Sequence, residues 1–310
     1  MWSRPWRLGC LSLVTAVGLT GCAHARPVSR PAEPPVILDA SAVDLVTHSG
    51  SWPVTEQLLT DALNRLTESC LAGQGFRRPR FPAASRPVAP ENEWAVIDLP
   101  QRRTTGYGIA HHPGQDNRST STEPPDPYVD SLPAPEQRRY AMALLGSPDK
   151  TRTVTLPGGA QVRVRDEGCV PAGRRQLAGD VTAFARMTYL PEELGNRLTD
   201  QAVTTPEYLA ALATWRSCMA AGSLRYDSSE QAQKMLRGEP NHDTAQFRRR
   251  EITVAVADGR CAADAHLVAA SLVARRRLAL AMPAGDRAGL ADAARQRDAA
   301  VDRARTVLQG

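Results

Sequence analysis

Two adjacent carboxylates, Glu192 and Glu193, two adjacent histidines, His111 and His112, with Asp116 close behind, and the isolated His242 and His266 are the side chains best suited to acid–base or metal chemistry. Neighbouring residues of a helix point in different directions, so Glu192 and Glu193 make a poor acid and base pair and read as a solvated helix start. His111, His112 and Asp116 offer at most three ligands in an extended loop with no fourth in view, and read as solvated loop rather than a metal site. His242 and His266 read as surface or helix-packing residues. The chain contains no HExxH, GxSxG, GxxxxGKS or GxGxxG pattern, so no catalytic residue, cofactor or metal is expected from motifs. Two arginine clusters, Arg248 to Arg250 and Arg275, Arg276 and Arg277, lie 27 residues apart in one long helical pattern. Together they would make a cationic face for an anionic wall polymer or lipid headgroups. The competing reading is solvated charge, because three consecutive arginines spread around a helix and the chain has 36 arginines against two lysines, a coding bias.

The N-terminus states where this chemistry takes place. Arg4 and Arg7 precede an apolar run of about a dozen residues, which fits a signal peptide and falls short of the ~20 residues of a spanning helix. The run ends in Leu19-Thr20-Gly21-Cys22, which resembles the lipobox of bacterial lipoproteins. That resemblance implies cleavage after residue 21, diacylglycerol on Cys22 and anchorage to the outer face of the cytoplasmic membrane, where nucleic acid is no partner. Residues 22–53 contain Pro27, Pro31, Pro34, Pro35 and Pro53 and read as a stiff tether. Residues 54–310 are the globular region.

Export also decides the cysteines. Cys10 leaves with the signal and Cys22 carries lipid, which leaves Cys70, Cys169, Cys218 and Cys261 in an oxidising compartment. CxxC-like metal spacing is absent. Of three pairings, chain order favours Cys70 with Cys169 and Cys218 with Cys261. The loop-entropy relation gives each about 4 to 5 kcal/mol.

The elements that must position these residues follow from spacing. Thr205-Pro206-Glu207 starts a helix on which Tyr208, Leu212, Trp215 and Met219 form one apolar stripe, with Cys218 beside it and Gly222 as a left-handed end. Leu59, Leu63, Leu66 and Cys70 repeat the arrangement over residues 54–73, either by duplication or because two helix ends obey the same rules. Residues 74–133 read as irregular, with Arg102 to Gly108 as a turn packed on the body. A helix over 135–145 precedes a β-hairpin of 153–156 and 161–164. Helices are expected at 181–189 and 191–202, then from Ser228, then over 243–282 with a weak point at Gly259; a return helix over 287–308 makes 243–308 a helical hairpin. The fold class is therefore mainly α, a disulfide-stapled helical domain with a small accessory β-hairpin.

Cys218-Met-Ala-Ala-Gly222 and Ala255-Val-Ala-Asp258-Gly-Arg-Cys261, with the earlier Gly168-Cys169, resemble the actinobacterial exported lipoproteins of unknown function. The resemblance spans most of residues 55–275 and implies envelope location and disulfides, but no activity. The expected function is a non-enzymatic binding or interaction module, held to the membrane through Cys22 and contacting an anionic wall polymer or another envelope protein. The alternative is an envelope hydrolase whose carboxylate site is assembled only by the fold. A deep pocket with converging carboxylates would mark the enzyme; a shallow arginine-lined face would mark the binder.

Overall fold

In the computed structural model, residues 36–77, 97–111 and 127–310 are described, and they form twelve α-helices and one two-stranded antiparallel sheet. The fold is mainly helical, with the hairpin and both disulfides in the expected places.

The first element, α1 (Ala40–Thr47), corrects the tether boundary at residue 53. Asp39 caps it by accepting the Ala42 N–H at 2.8 Å. Leu38, Val43, Leu45 and Val46 are buried in the main core. Their burial is worth roughly 6 to 12 kcal/mol gross, at about 1.5 to 3 each. Ordering the segment costs a comparable amount, about 1 to 2 kcal/mol per residue. Polar contacts at its end therefore decide whether α1 docks, and two of three consecutive arginines of α11 (Leu267–Leu280) supply most of them. Arg275 donates to the Thr47 carbonyl at 3.2 Å, and Arg276 donates to Asp44 at 2.7 Å and to the Ser49 hydroxyl at 2.8 Å. Arg277 reaches the other way, to Glu207 at 2.8 Å.

Behind α1, α2 (Trp52–Gly73) and α12 (Ala284–Gln309) pack along each other, tied by Glu56 and Arg297 at 2.6 Å and by Arg65 donating to the Leu308 carbonyl. α12 also lies on α6 (Cys169–Ala178) and α7 (Val181–Ala202), so the expected C-terminal helical hairpin is not formed. α1 packs against α7, α11 and α12. The stretch over 243–282 is likewise two helices, α10 (Ala245–Asp264) and α11, broken where His266 adopts a left-handed conformation at φ 51°. Gly259 is no weak point. A Cβ there would lie 2.8 Å from a Leu99 methyl and 2.9 Å from one of Ile97, so the missing side chain lets another segment approach.

α7 runs unbroken through Pro191, which is buried in it, where the sequence suggests two helices. β1 (Thr151–Thr155) and β2 (Gln161–Arg165) pair with Val154 opposite Val162; Val154, Leu156 and Val164 turn into the core shared with α7. In α8 (Pro206–Ala221) Tyr208, Leu212, Trp215 and Met219 are all buried, as their spacing requires. Two cap details differ. The Thr205 hydroxyl donates back to the Ala202 carbonyl, and Gly222 has φ −86° while Ser223 takes the left-handed conformation. Cys169 opens α6, whereas Cys261 lies in the last turn of α10. Cys70 and Cys218 thus both lie in the last turn of a helix, whereas their partners occupy opposite ends of theirs.

His48 closes α1 at φ 49° and stacks on Trp52 with ring centroids 4.2 Å apart. Burial, and then Arg275 and Arg297 against the opposing pull of Glu56, hold its pKa below the ordinary 6.5. The folded state favours neutral imidazole, so stability is full above pH 6.5 and is lost as pH falls below that value toward the lower folded pKa. His48→Asn, which tolerates the left-handed conformation, is expected to flatten the dependence of Tm on pH between about 7 and 5; a wild-type slope retained in the variant would assign the effect to other groups.

Candidate functional site

Glu251 and Asp258 stand seven residues apart on α10, two helical turns, and so share one face. Both are buried. Asp258 Oδ1 accepts from Trp215 Nε1 at 2.9 Å. Its Oδ2 accepts from Arg102 at 2.7 Å, Tyr107 OH at 2.8 Å and Ser229 Oγ at 2.7 Å. Burial first, and then Asp258, push the Tyr107 phenol far above its ordinary range, so it stays a donor. Glu251 accepts the backbone N–H groups of Ile109 and Ala110 at 2.8 and 3.0 Å, one on each oxygen. Gly106, at φ +63°, passes so close that a Cβ would lie 2.8 Å from Glu251 Cγ. The two carboxylates thus clamp α3 (Leu99–Thr105) and the 3₁₀ turn Ile109–His111 onto α10, while α9 (Ser229–Arg237) enters through Ser229.

This is the fold-assembled carboxylate pair that a hydrolase would need, and its geometry does not suit one. A general acid or base must reach the reacting proton directly or through one water. Asp258 meets four internal donors, and the space beside it is about 10 Å³, at most the room for one water. What the arrangement does is hold α3, α8, α9 and α10 together.

One turn further along both helices, Cys218 and Cys261 are bonded with Cα atoms 5.6 Å apart. Trp215 with Asp258 and Cys218 with Cys261 step along α8 and α10 in the same sense.

The second feature of interest is a surface groove of about 550 Å³, open to solvent, where the end of α2 meets α5 (Ala134–Leu145). Cys70, in the last turn of α2, is bonded to Cys169. The Gln74 side-chain amide donates to Cys169 Sγ at 3.3 Å, and the Phe76 N–H returns to the Leu71 carbonyl at 3.0 Å. This turn sets the Phe76 ring edge-on to Tyr140, centroids 5.5 Å apart, as the groove floor. Arg139 lies over the same ring at 5.3 Å and pairs with both oxygens of Glu136. Arg138 and Met142 complete the lining; Met142 is 49% exposed. Arg138 is exposed and has no carboxylate partner among the described residues.

The structure treats the residues singled out by sequence unevenly. Cys22, His112 and Asp116 lie outside the described residues. Cys70–Cys169 and Cys218–Cys261 are formed. Arg275, Arg276 and Arg277 make no cationic face: the first is buried, and the other two are engaged with Asp44 and Glu207. Arg250 pairs with Glu239. His242 stacks edgewise on Phe247, and His266 is the α10–α11 corner. The groove residues Phe76, Arg138, Arg139 and Met142 were not anticipated. Their one sequence signal is Met142 following the Arg138-Arg139 pair on the outer side of an amphipathic helix. Among the described residues no group of three or more His, Cys, Asp or Glu could hold a metal, and no helix is long and apolar enough to cross a membrane.

The chain matches no protein-family model, no curated protein and no solved structure.

Replacing Asp258 with Asn keeps the shape but turns an amide N–H₂ toward donors and leaves the Arg102 guanidinium, 15% exposed, without its counter-charge. Removing one partner of a buried ion pair costs about 3 to 5 kcal/mol. At about 2 to 4 °C per kcal/mol, Asp258→Asn is expected to lower Tm by about 10 °C. A shift under about 2 °C in a thermal melt would show that the carboxylate does not hold these elements.

Proposed function

We propose that the protein is a lipid-anchored, extracytoplasmic module of the bacterial cell envelope, of the kind its motifs resemble, that holds a partner rather than transforming a substrate. One contrast carries this reading: the buried carboxylates direct their hydrogen bonds inward, while the open groove beside the Cys70–Cys169 bond presents arginine and apolar side chains outward. The first property argues against hydrolysis, which needs a carboxylate within reach of substrate. The second suits binding, since guanidinium groups and exposed thioethers both recur at recognition surfaces.

The location rests on Leu19-Thr20-Gly21-Cys22. Two disulfides, with loop-entropy contributions of about 4 and 4.7 kcal/mol, are consistent with an oxidising compartment. Cys22→Ala is expected to release the protein from the membrane fraction or to leave it unprocessed; unchanged retention and acyl labelling would remove the anchor from the proposal.

Binding is tested in intact cells by placing a photoreactive side chain at Met142 and, as a control, at the exposed Val273 of α11. Light-dependent adducts at Met142 that are missing at Val273 are the expected outcome. Equal yields at the two positions, or none at either, would overturn the binding reading.

A further inference from the structure

We propose that the groove between the end of α2 and α5 receives an extended, acidic peptide segment of a partner protein that carries apolar side chains. This rests on the binding-module reading and assigns its ligand class. Three observations lead to it.

The first is shape. The groove holds about 550 Å³ but is open to solvent, whereas small-molecule sites bury most of their ligand. A chain passing across an open groove needs no enclosure. The second is charge. Arg138 and Arg139 stand against the single carboxylate of Glu136, and Arg138 has no carboxylate partner among the described residues. Its planar guanidinium is shaped for a two-point contact with a carboxylate. The third is the apolar part. Phe76 forms the floor, Pro135 lies on the wall, and Met142 is half exposed at the rim. A phosphate-rich wall polymer would use the guanidinium groups but leave the ring and the thioether without a role. A segment mixing Glu or Asp with Leu or similar residues would use both.

The floor is set before binding. Phe76 is fixed by Tyr140, by its N–H bond to the Leu71 carbonyl and by the Cys70–Cys169 bridge six residues before it. Fixing a site in its bound shape removes part of the ordering cost of association. The disulfide is therefore a positioning element for the groove as well as a staple.

The test uses the full mature chain with its disulfides intact and a fluorescent synthetic peptide alternating Glu and Leu, read by anisotropy at low salt. Peptides alternating Lys and Leu or Glu and Ser, and poly(glycerol phosphate), serve as competitors. The Glu–Leu peptide is expected to bind and to be displaced poorly by all three. Arg138→Glu and Met142→Glu, both at exposed positions, are each expected to weaken it about tenfold without changing the far-UV spectrum, and added salt to reduce the Arg138 effect.

Displacement by poly(glycerol phosphate) that Arg138→Glu abolishes would overturn the peptide assignment in favour of a wall polymer. Equal binding of the Glu–Leu and Glu–Ser peptides would remove the apolar requirement and overturn it as well. If no peptide binds while Met142 still forms its adducts in cells, the ligand class fails and the binding module stands. If those adducts are also missing, both fail.

Discussion

A carboxylate taken out of water is tolerated only when donors replace the water it has lost, and Asp258 makes that requirement the organising condition of half the molecule. Its four donors come from α3, from the turn after it, from α8 and from α9. None of those segments can move outward without leaving a buried charge short of a partner, which costs more than the bond itself contributes. Glu251, two turns earlier, fixes the next part of the same strap through backbone N–H groups. The strap thereby stays on α10 although it buries few large apolar side chains. The Cys218–Cys261 bridge lies one turn from the Trp215–Asp258 bond, so the covalent tie and the polar tie share one helix contact.

The cores around α1, α2, α7 and α12 are held by different means. Aromatic residues make up 5% of the chain, and α12 contributes Ala293, Ala294, Ala300 and Ala304 to the core. Small side chains let helices approach closely but each buries little area, so specificity must come from elsewhere. Arginine supplies it. Arg275, Arg276, Arg297 and Arg303 each reach a backbone carbonyl or a carboxylate on another element. Their long stems add apolar contact while the head groups fix register.

The sequence disclosed those parts of this plan whose information is local. The α8 stripe, the hairpin and the two pairings follow from spacing, turn residues and chain order, and each is present. What escaped depends on distant partners. Asp39 with Leu38 and Val43 is a helix start with a flanking apolar pair, but it follows a proline-rich stretch and gains its value only once α11 supplies Arg275 and Arg276. The break at His266 carries no Gly or Pro signal. Gly259 looks like a weak point in the sequence because its reason lies in Ile97 and Leu99, about 160 residues away. The arginine triplet looks like a cationic surface until the fold assigns each head group a partner. The groove is the hardest case, since Phe76 and Met142 come from separate elements that meet only once Phe76 packs on Tyr140 and Arg139 of α5.

The docking of α1 also decides how the body would bear a load. The Val36 carbonyl accepts from Arg287 at 3.0 Å, and Leu38 is already buried two residues later. A pull from the N-terminal side therefore meets α12 and the core within three residues, while the arginine contacts that secure α1 lie at its far end. The helix would have to be drawn out from its N-terminus one turn at a time before those contacts felt the force. Under the proposed anchor at Cys22, this order of release would make α1 a sacrificial turn of chain, one that adds a few tens of ångströms of reach at 3.3 to 3.6 Å per extended residue while the disulfide-bonded body keeps its shape.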